Sequence, residues 1–159
     1  MTLNSRDFRD ALGHFATGVT VISARDSAGE PIGVTVNSFA SVSLDPPLVL
    51  WSLDTGSDRY EAMMCVTHFS VNILGEDARS VSQALSRKGK KIMAPELIYE
   101  GKNKIPLLKN AIANFECEVE RRIEAGDHVM FIGRVLAFSH ASHEKPLVYY
   151  RGNYRTIAG

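Results

Sequence analysis

The sequence predicts a mainly β protein, an antiparallel barrel decorated with a few short helices. About seven short extended runs, rich in β-branched and aromatic residues, are separated mostly by turn signals. Only about three segments show helical periodicity. Strand-like and helix-like segments do not alternate regularly, which disfavours a doubly wound parallel sheet.

The strand-like segments are residues 19–23, 32–36, 48–51, 69–74, 115–120, 129–138 and 147–150. The first two flank a turn signal at residues 26–29, so we expect them to form a hairpin. Residues 115–120 alternate apolar and acidic side chains, which predicts a half-buried strand with a row of carboxylates facing water. Gly133 interrupts the long run 129–138 and predicts a bend there.

Helices are predicted over residues 5–16, 58–66 and 76–85. Phe8, Leu12 and Phe15 recur at helical spacing in the first, and we expect Gly18 to end it. In the second, Asp58 lies three residues before Glu61, the spacing of a capping box. Residues 87–106 show little periodicity and are predicted to form a long loop, which in a small domain is more often functional than idle.

Length, net charge and cysteine spacing limit the classes of function that the chain can have. The chain has 159 residues, which fits one domain over residues 1–159. It contains 18 basic and 18 acidic residues, for a formal net charge of +0, which argues against a nucleic-acid partner. No apolar run has membrane-spanning length, and Cys65 and Cys117 have neither metal-ligand nor disulfide spacing. We therefore expect a reduced, cytoplasmic protein with no membrane partner.

Common cofactor and metal motifs do not fit. Residues 13–20 have P-loop glycine spacing but lack the lysine and follow a predicted helix, so helix termination explains them better. No GxGxxG motif is present, which excludes Rossmann-type dinucleotide binding. His140 and His143 lie in a polar turn with no third ligand in view, so no metal site is predicted.

Two polar clusters have binding capacity. In residues 33–43, small hydroxyls and an amide give hydrogen-bonding capacity without charge, suited to the polar edge of a flat heterocycle. The alternative is a strand-to-turn segment that uses Asn and Ser as turn formers. Residues 52–59 place Ser57 and Arg59 at a predicted helix start, a natural phosphate seat, although plain helix capping explains Asp58 better.

Three further features have both structural and functional interpretations. The basic run at residues 87–91 would meet a cofactor phosphate or form a solvated loop. His128, after Gly126 and Asp127, would hydrogen-bond a ligand or serve the strand start. The aromatic and basic residues 149–154 would line a site or pack at the core edge.

In this order, the segments resemble the short-chain flavin reductase family, the reductase components of two-component flavin-dependent monooxygenases. The residues that carry the resemblance are 8–13, 15–21, 35–39, 41–49, 69–74, 115–119, 126–128, 146–150, Gly152 and Tyr154. They extend over nearly the whole chain.

The resemblance implies a Greek-key type split β-barrel and a homodimer that binds FMN or FAD near the subunit interface. It assigns Thr35, Val36, Asn37, Ser38, Phe39, Ser41 and Val42 to the isoalloxazine ring. It assigns Ser52, Gly56, Ser57 and Asp58 to the ribityl chain and phosphate, Arg87 and Lys88 to the loop beside the flavin, and His128 and Tyr154 to the nicotinamide.

The implied activity is hydride transfer from NADH or NADPH to the flavin, which then reaches a separate monooxygenase or stays bound as a prosthetic group. Because hydride passes directly between the two ring systems, we assign His128 a catalytic role in orientation, with proton supply as a weaker option. The alternative is a flavin-binding electron carrier or sensor without its own reductase activity.

Overall fold

The computed structural model describes residues 3–89, 92–142 and 144–158. The helices are α1 (Ser5–Leu12), α2 (Tyr60–Met64) and α3 (Arg79–Ser86). The strands are β1 (Thr17–Gly18), β2 (Thr20–Arg25), β3 (Pro31–Val36), β4 (Ala40–Leu44), β5 (Pro47–Asp54), β6 (His68–Leu74), β7 (Ile98–Glu100), β8 (Pro106–Leu108), β9 (Ala111–Ala125), β10 (His128–His140), β11 (Val148–Tyr150) and β12 (Asn153–Arg155). The predicted mainly β class with a few short helices is confirmed.

Seven strands form one antiparallel sheet in the order β3-β2-β6-β9-β10-β5-β4. The predicted β2–β3 hairpin is present, with Thr20 opposite Val36. One end of the sheet, β3, approaches β5, the strand next to the other end, through Ser38, which follows β3. Its hydroxyl accepts a hydrogen bond from the amide of Ser52 on β5 (2.9 Å) and donates one to the carbonyl of Ser52 (3.1 Å).

Two smaller sheets flank the main one. β11 pairs with β1 on one side and with β12 on the other, and β7 pairs with β8. The β11–β12 connection is a two-residue turn in which Arg151 and Gly152 both have positive φ, 48° and 75°. The amide of Arg151 donates to the carbonyl of Gly13 (2.9 Å), so the turn is attached to the end of α1.

Aromatic rings fill the core of the main sheet. Trp51 stacks on Phe131 with ring centroids 4.4 Å apart, and Phe69 meets Trp51 edge-on at 5.8 Å. Gly133 lies at a register shift in the β9–β10 pairing, as its predicted bend requires. A Cβ at this position would lie 2.4 Å from Cζ of Phe69, so the packing of the ring excludes a side chain here.

A buried polar network attaches β8 to the sheet. The side-chain amide of Asn72, on β6, donates to the carbonyl of Val21 (2.9 Å), and its oxygen accepts from the amide of Leu108 (2.9 Å) and from Nδ2 of Asn114 (2.7 Å). Asn72 is completely buried. These contacts fix the end of the long connection between α3 and β9.

Helix α1 is shorter than predicted and lies with none of its residues buried. After Leu12 the chain tightens into i→i−3 turns, in which the amides of His14 and Phe15 donate to the carbonyls of Ala11 (3.2 Å) and Leu12 (3.0 Å). Gly18 lies in β1 instead of ending the helix. Phe8, Leu12 and Phe15 are 54%, 58% and 79% exposed. Phe8 and Leu12 therefore lie on one uncovered face of α1, as their spacing predicts, whereas Phe15 lies exposed in the turn that follows the helix.

The other two helices also differ from the prediction at their starts. α2 begins at Tyr60, and the Asp58 carboxylate accepts from Arg59 and from the amide of Gly89 in place of capping the helix. α3 is preceded by a 3₁₀ turn, Glu76–Ala78. Part of the predicted loop 87–106 is ordered as a second 3₁₀ turn, Pro95–Leu97, and as β7.

The expected row of solvated carboxylates on β9 is wrong at one position. Glu116 is buried, because the segment after β7 covers it. Its carboxylate accepts hydrogen bonds from the amides of Lys102 (3.2 Å) and Asn103 (3.1 Å). Glu118 and Glu120 on the same strand are exposed, as predicted.

None of the helices in the described ranges has the length and apolar character needed to cross a membrane.

Candidate functional site

A cavity of about 220 Å³, the β3 cavity, lies between the end of β3 and the end of β5. Its walls come from β3, from the turn after β5 and from the first residue of β10. The predicted site residues that line it are Thr35, Val36, Asn37, Ser38, Ser52, Ser57 and His128. The fold thus brings together both polar clusters and the histidine, which are far apart in the sequence.

Asn37 provides the uncommitted polar group of this cavity. Its side chain is exposed and forms no hydrogen bond with any residue in the described ranges. The Thr35 hydroxyl, in contrast, donates to the carbonyl of Ser82 (2.7 Å), and the Ser38 hydroxyl bonds to the backbone of Ser52. An amide offers both donors and an acceptor without charge, as the polar edge of a flat heterocycle requires.

In the turn after β5, several backbone amides that could bind a phosphate already form hydrogen bonds within the chain. The amide of Gly56 donates to the Asp54 carboxylate (2.7 Å), and that of Ser57 donates to the Asp54 carbonyl (3.0 Å). The Ser57 hydroxyl accepts from the amide of Arg59 (3.2 Å) and keeps its own proton for another acceptor. The amides of Gly56, Ser57 and Arg59 are therefore already bonded within the chain, and the Ser57 hydroxyl remains as a donor for a phosphate.

Arg59 is the residue that sequence reasoning undervalued. It is buried, and its guanidinium donates to the carbonyls of Gly33 (3.3 Å), Leu85 (3.0 Å) and Arg87 (2.8 Å). It also pairs with Asp58 at 2.7 Å. Arg59 therefore joins β3, the end of α3 and the start of the following loop.

His128 and Asp127 form a hydrogen-bonded pair at the rim of the β3 cavity. Nδ1 of His128 lies 2.7 Å from Oδ1 of Asp127. This hydrogen bond and the histidine charge hold the pKa of Asp127 below its ordinary value. The Asp127 carbonyl in turn accepts from the amide (2.9 Å) and the hydroxyl (3.1 Å) of Thr55. The pair is thus anchored to the turn after β5.

Tyr154 lines a second cavity of about 380 Å³, the Tyr154 cavity, which also includes residues 35–37 and Tyr149. The Tyr154 hydroxyl lies 2.8 Å from that of Ser82, and the Arg79 guanidinium lies 5.3 Å from the centre of its ring. These contacts hold the ring at the side of β3 that faces α3.

A third cavity of about 850 Å³, the α1 cavity, lies between α1 and the β11–β12 turn. Arg9 and Arg151 are in its wall, and Thr17 and Asn37 also border it. Asn37 lines all three cavities. Asn37 is therefore the residue that the three cavities share.

Seven of the predicted site residues do not line these three cavities: Phe39, Ser41, Val42, Gly56, Asp58, Arg87 and Lys88. Phe39 packs against Phe115, with centroids 6.0 Å apart. Ser41 and Val42 lie exposed on the edge strand β4. Lys90 and Lys91 of the predicted basic run, and His143 of the rejected metal site, lie outside the described residues.

Solved structures share this fold. The flavin reductase PheA2 superimposes with a TM-score of 0.89 at 35% identity, covering 99% of this chain and 100% of that one. The styrene monooxygenase flavin reductase SMOB from Pseudomonas putida S12 gives a TM-score of 0.86 at 37% identity, covering 96% and 97% of the two chains. The expected fold class is therefore confirmed.

Curated relatives of this chain are also named flavin reductases. The chain is 46% identical over 139 residues to "FMN reductase (NADH) SmoA" of Agrobacterium fabrum, covering 86% of this chain and 78% of that protein. It is 39% identical over 156 residues to "NADH-dependent flavin reductase StyB" of Pseudomonas fluorescens, covering 96% and 89%.

Some relatives are much longer. The chain spans 48% of a Rhizobium meliloti protein to which it is 47% identical over 151 residues. It spans 49% of the reductase component of a trigonelline monooxygenase from Acinetobacter baylyi. The family model described as "Flavin reductase like domain" matches residues 12–158. This chain belongs to that flavin reductase-like family.

Proposed function

We propose that the protein is an NAD(P)H:flavin oxidoreductase that transfers a hydride from NADH or NADPH to FMN or FAD. The observation that carries the proposal is the meeting of three cavities at Asn37, with the His128–Asp127 pair at one rim and Tyr154 at the other. Two planar ring systems must be held face to face for hydride transfer, and such a forked site offers each a separate approach. The names of the relatives SmoA and StyB support the same activity.

In this proposal, residues 35–38 face the flavin ring, and the amide of Asn37 bonds its polar edge. The Ser57 hydroxyl serves the flavin phosphate. Phe39 packs against Phe115, and Ser41 and Val42 lie exposed on β4, so we give these three residues supporting roles. Arg59 and Asp58 act indirectly, because they hold the loop that carries Arg87 and Lys88 next to β3.

The bound nicotinamide supplies the hydride and the bound flavin accepts it. The chain contributes orientation. The Asp127 carboxylate fixes the orientation of His128 by accepting a hydrogen bond from Nδ1 of the ring. Nε2 therefore points away from the carboxylate and is available to a ligand. Tyr154 is held by Ser82 and provides an aromatic wall on the other side of Asn37.

We also propose that the protein is a homodimer. The apolar stripe of Phe8, Leu12 and Phe15 is uncovered, and Leu44 on the edge strand β4 is 95% exposed. A folded chain seldom leaves a row of large apolar side chains in water without a partner. The α1 stripe borders the α1 cavity through Leu12 and Phe15, so a second copy would close the site from outside.

Several relatives are named as reductase components of monooxygenases, including HsaB of Rhodococcus jostii. We propose that this protein likewise supplies reduced flavin to a separate monooxygenase. Both described cysteines, Cys65 and Cys117, are free thiols, which fits a reducing cytoplasmic location.

A reductase assay that crosses NADH and NADPH with FMN, FAD and riboflavin tests the proposed function. We expect flavin-dependent oxidation of at least one nicotinamide, with FMN used better than riboflavin because of the Ser57 contact. Tight flavin binding without nicotinamide oxidation would favour the electron carrier or sensor instead. Equal use of FMN and riboflavin would remove the phosphate from the Ser57 turn.

A further inference from the structure

The α1 cavity contains two guanidinium groups that the proposed function does not yet use. Arg9 projects from α1 and Arg151 from the β11–β12 turn, and both line this cavity of about 850 Å³. In the described part of the chain, neither side chain has a hydrogen-bond or ion-pair partner. Asp10 is the acidic residue in the same wall, so the lining has one excess positive charge.

The backbone of Arg151 is in an unfavourable conformation. Its φ of 48° and the 75° of Gly152 are those of a two-residue type I′ turn. Asn, Asp and Gly are preferred at the first position of this turn, because they tolerate positive φ best. An arginine held there indicates that its side chain has a role at this place, since strained residues cluster at ligand sites.

The α1 cavity is adjacent to the proposed site of hydride transfer. It shares Asn37, Tyr149 and Gly152 with the Tyr154 cavity. The positive charge of Arg9 also contributes to the lowered pKa of Asp127. A ligand with its reactive ring beside His128 and Tyr154 can therefore extend toward both arginines.

We propose that Arg9 and Arg151 bind the diphosphate of the nicotinamide dinucleotide. The assignment rests on the proposed function. Guanidinium forks match phosphate oxygens in geometry and charge. FAD has a diphosphate of the same chemistry, but the Ser57 turn proposed for the flavin phosphate does not border the α1 cavity, which leaves this cavity to the nicotinamide dinucleotide.

The test compares two hydride donors on the FMN-loaded protein: NADH and reduced nicotinamide riboside, which lacks phosphate. For Arg9→Gln and Arg151→Asn, we expect kcat/KM with NADH to fall about 10-fold or more, as the loss of a charged hydrogen bond predicts. The value with the riboside should not change. Arg6→Gln is the matched control, because Arg6 is on the same helix but does not line the cavity.

Two measurements separate binding from folding and from turnover. Titration calorimetry with NAD⁺ should show the same loss of affinity in both variants. The thermal midpoint of Arg151→Asn should be equal to or above that of the wild type, because asparagine tolerates the positive φ of the turn. If the wild type binds NAD⁺ in this arginine-dependent way but reduces no flavin, only the proposed function fails.

Equal losses with NADH and the riboside, or no loss with either, would overturn the assignment. So would a lower affinity for FAD in the variants combined with an unchanged kcat/KM for NADH, because the diphosphate would then belong to the flavin. Absence of NAD⁺ binding to the wild type would overturn it as well.

Discussion

Nδ1 of His128 lies 2.7 Å from Oδ1 of Asp127, and the backbone of Asp127 is itself bonded to Thr55 in the turn after β5. The histidine at the rim of the β3 cavity is therefore held by its neighbour in the chain and, through it, by a strand end that is remote in the sequence. This arrangement presents Nε2 to a ligand.

Asp127→Asn tests this pair. Asparagine lacks the negative charge of the carboxylate that accepts the hydrogen bond from His128. The histidine therefore loses its preferred tautomer and orientation. The Asp127 side chain is 88% exposed, so we expect kcat/KM for NADH to fall only roughly 2- to 5-fold, in the range of exposed charge pairs. The flavin Kd should stay the same. A variant with reduced flavin affinity and normal NADH kinetics would contradict the assignment.

The same pair predicts a pH dependence. Because the folded-state pKa of Asp127 is lowered, the bond to His128 contributes stability above the unfolded pKa of about 4 and loses it as the pH falls through the folded value. Asp127 therefore stays ionised from pH 5 to 8. The difference in free energy of unfolding between the wild type and Asp127→Asn, measured by urea denaturation, should therefore shrink as the pH is lowered from 5 to 3, and a difference that is the same at both pH values would refute this.

Asn37→Ala tests the flavin site. The amide forms no bond with the described residues in the folded chain, so its loss should leave the thermal midpoint unchanged. Flavin binding should weaken by roughly 5- to 150-fold, the effect of leaving a buried ligand atom unpaired. Fluorescence titration with FMN measures this. Asn110→Ala, at an exposed turn outside the three cavities, is the control, and equal FMN affinity in both variants would exclude Asn37 from the site.

Asn72→Ala tests the buried network that holds β8. The substitution leaves the amide of Leu108 and Nδ2 of Asn114 without their shared acceptor in the core. We expect the free energy of unfolding to fall by about 2–4 kcal/mol, measured by urea denaturation. A change within about 0.5 kcal/mol, typical of a surface position, would show that the network contributes little.

Leu12→Lys tests the proposed dimer. A lysine in the exposed apolar stripe of α1 would be buried without a partner on association, so sedimentation velocity should show a monomer. Arg6→Glu changes the charge on another face of the same helix and should leave the dimer intact. A wild-type protein that sediments as a monomer, or a Leu12→Lys variant that remains a dimer, would contradict the proposal.

The sequence predicts the parts of the fold that have long periodic patterns. β6 and β9 alternate over enough residues to be recognised, and the turn between β2 and β3 is explicit. β1 and β8 have only two and three residues, too few for any period to show. They exist because other strands offer them partners, which is information carried by the tertiary structure.

In the site, too, some residues have a recognisable sequence signal and others depend on the tertiary structure. The polar residues 35–38 and His128 are recognisable by type, and the fold places them in one cavity. The role of Arg59 could not be predicted, because its partners are backbone carbonyls of Gly33, Leu85 and Arg87, which carry no sequence signal. The burial of Glu116 likewise depends on a segment that returns from elsewhere in the chain.

The most direct test of the account is anaerobic stopped-flow reduction of FMN bound to the protein, mixed with NADH deuterated at one or the other C4 position. We predict that the flavin absorbance is bleached in a single turnover, with a primary isotope effect for one of the two labels. His128→Ala should slow this phase or weaken its dependence on NADH concentration, without changing the FMN Kd. Bound FMN that NADH does not bleach, or bleaching that is unaffected by His128→Ala, would contradict a hydride-transfer site at His128.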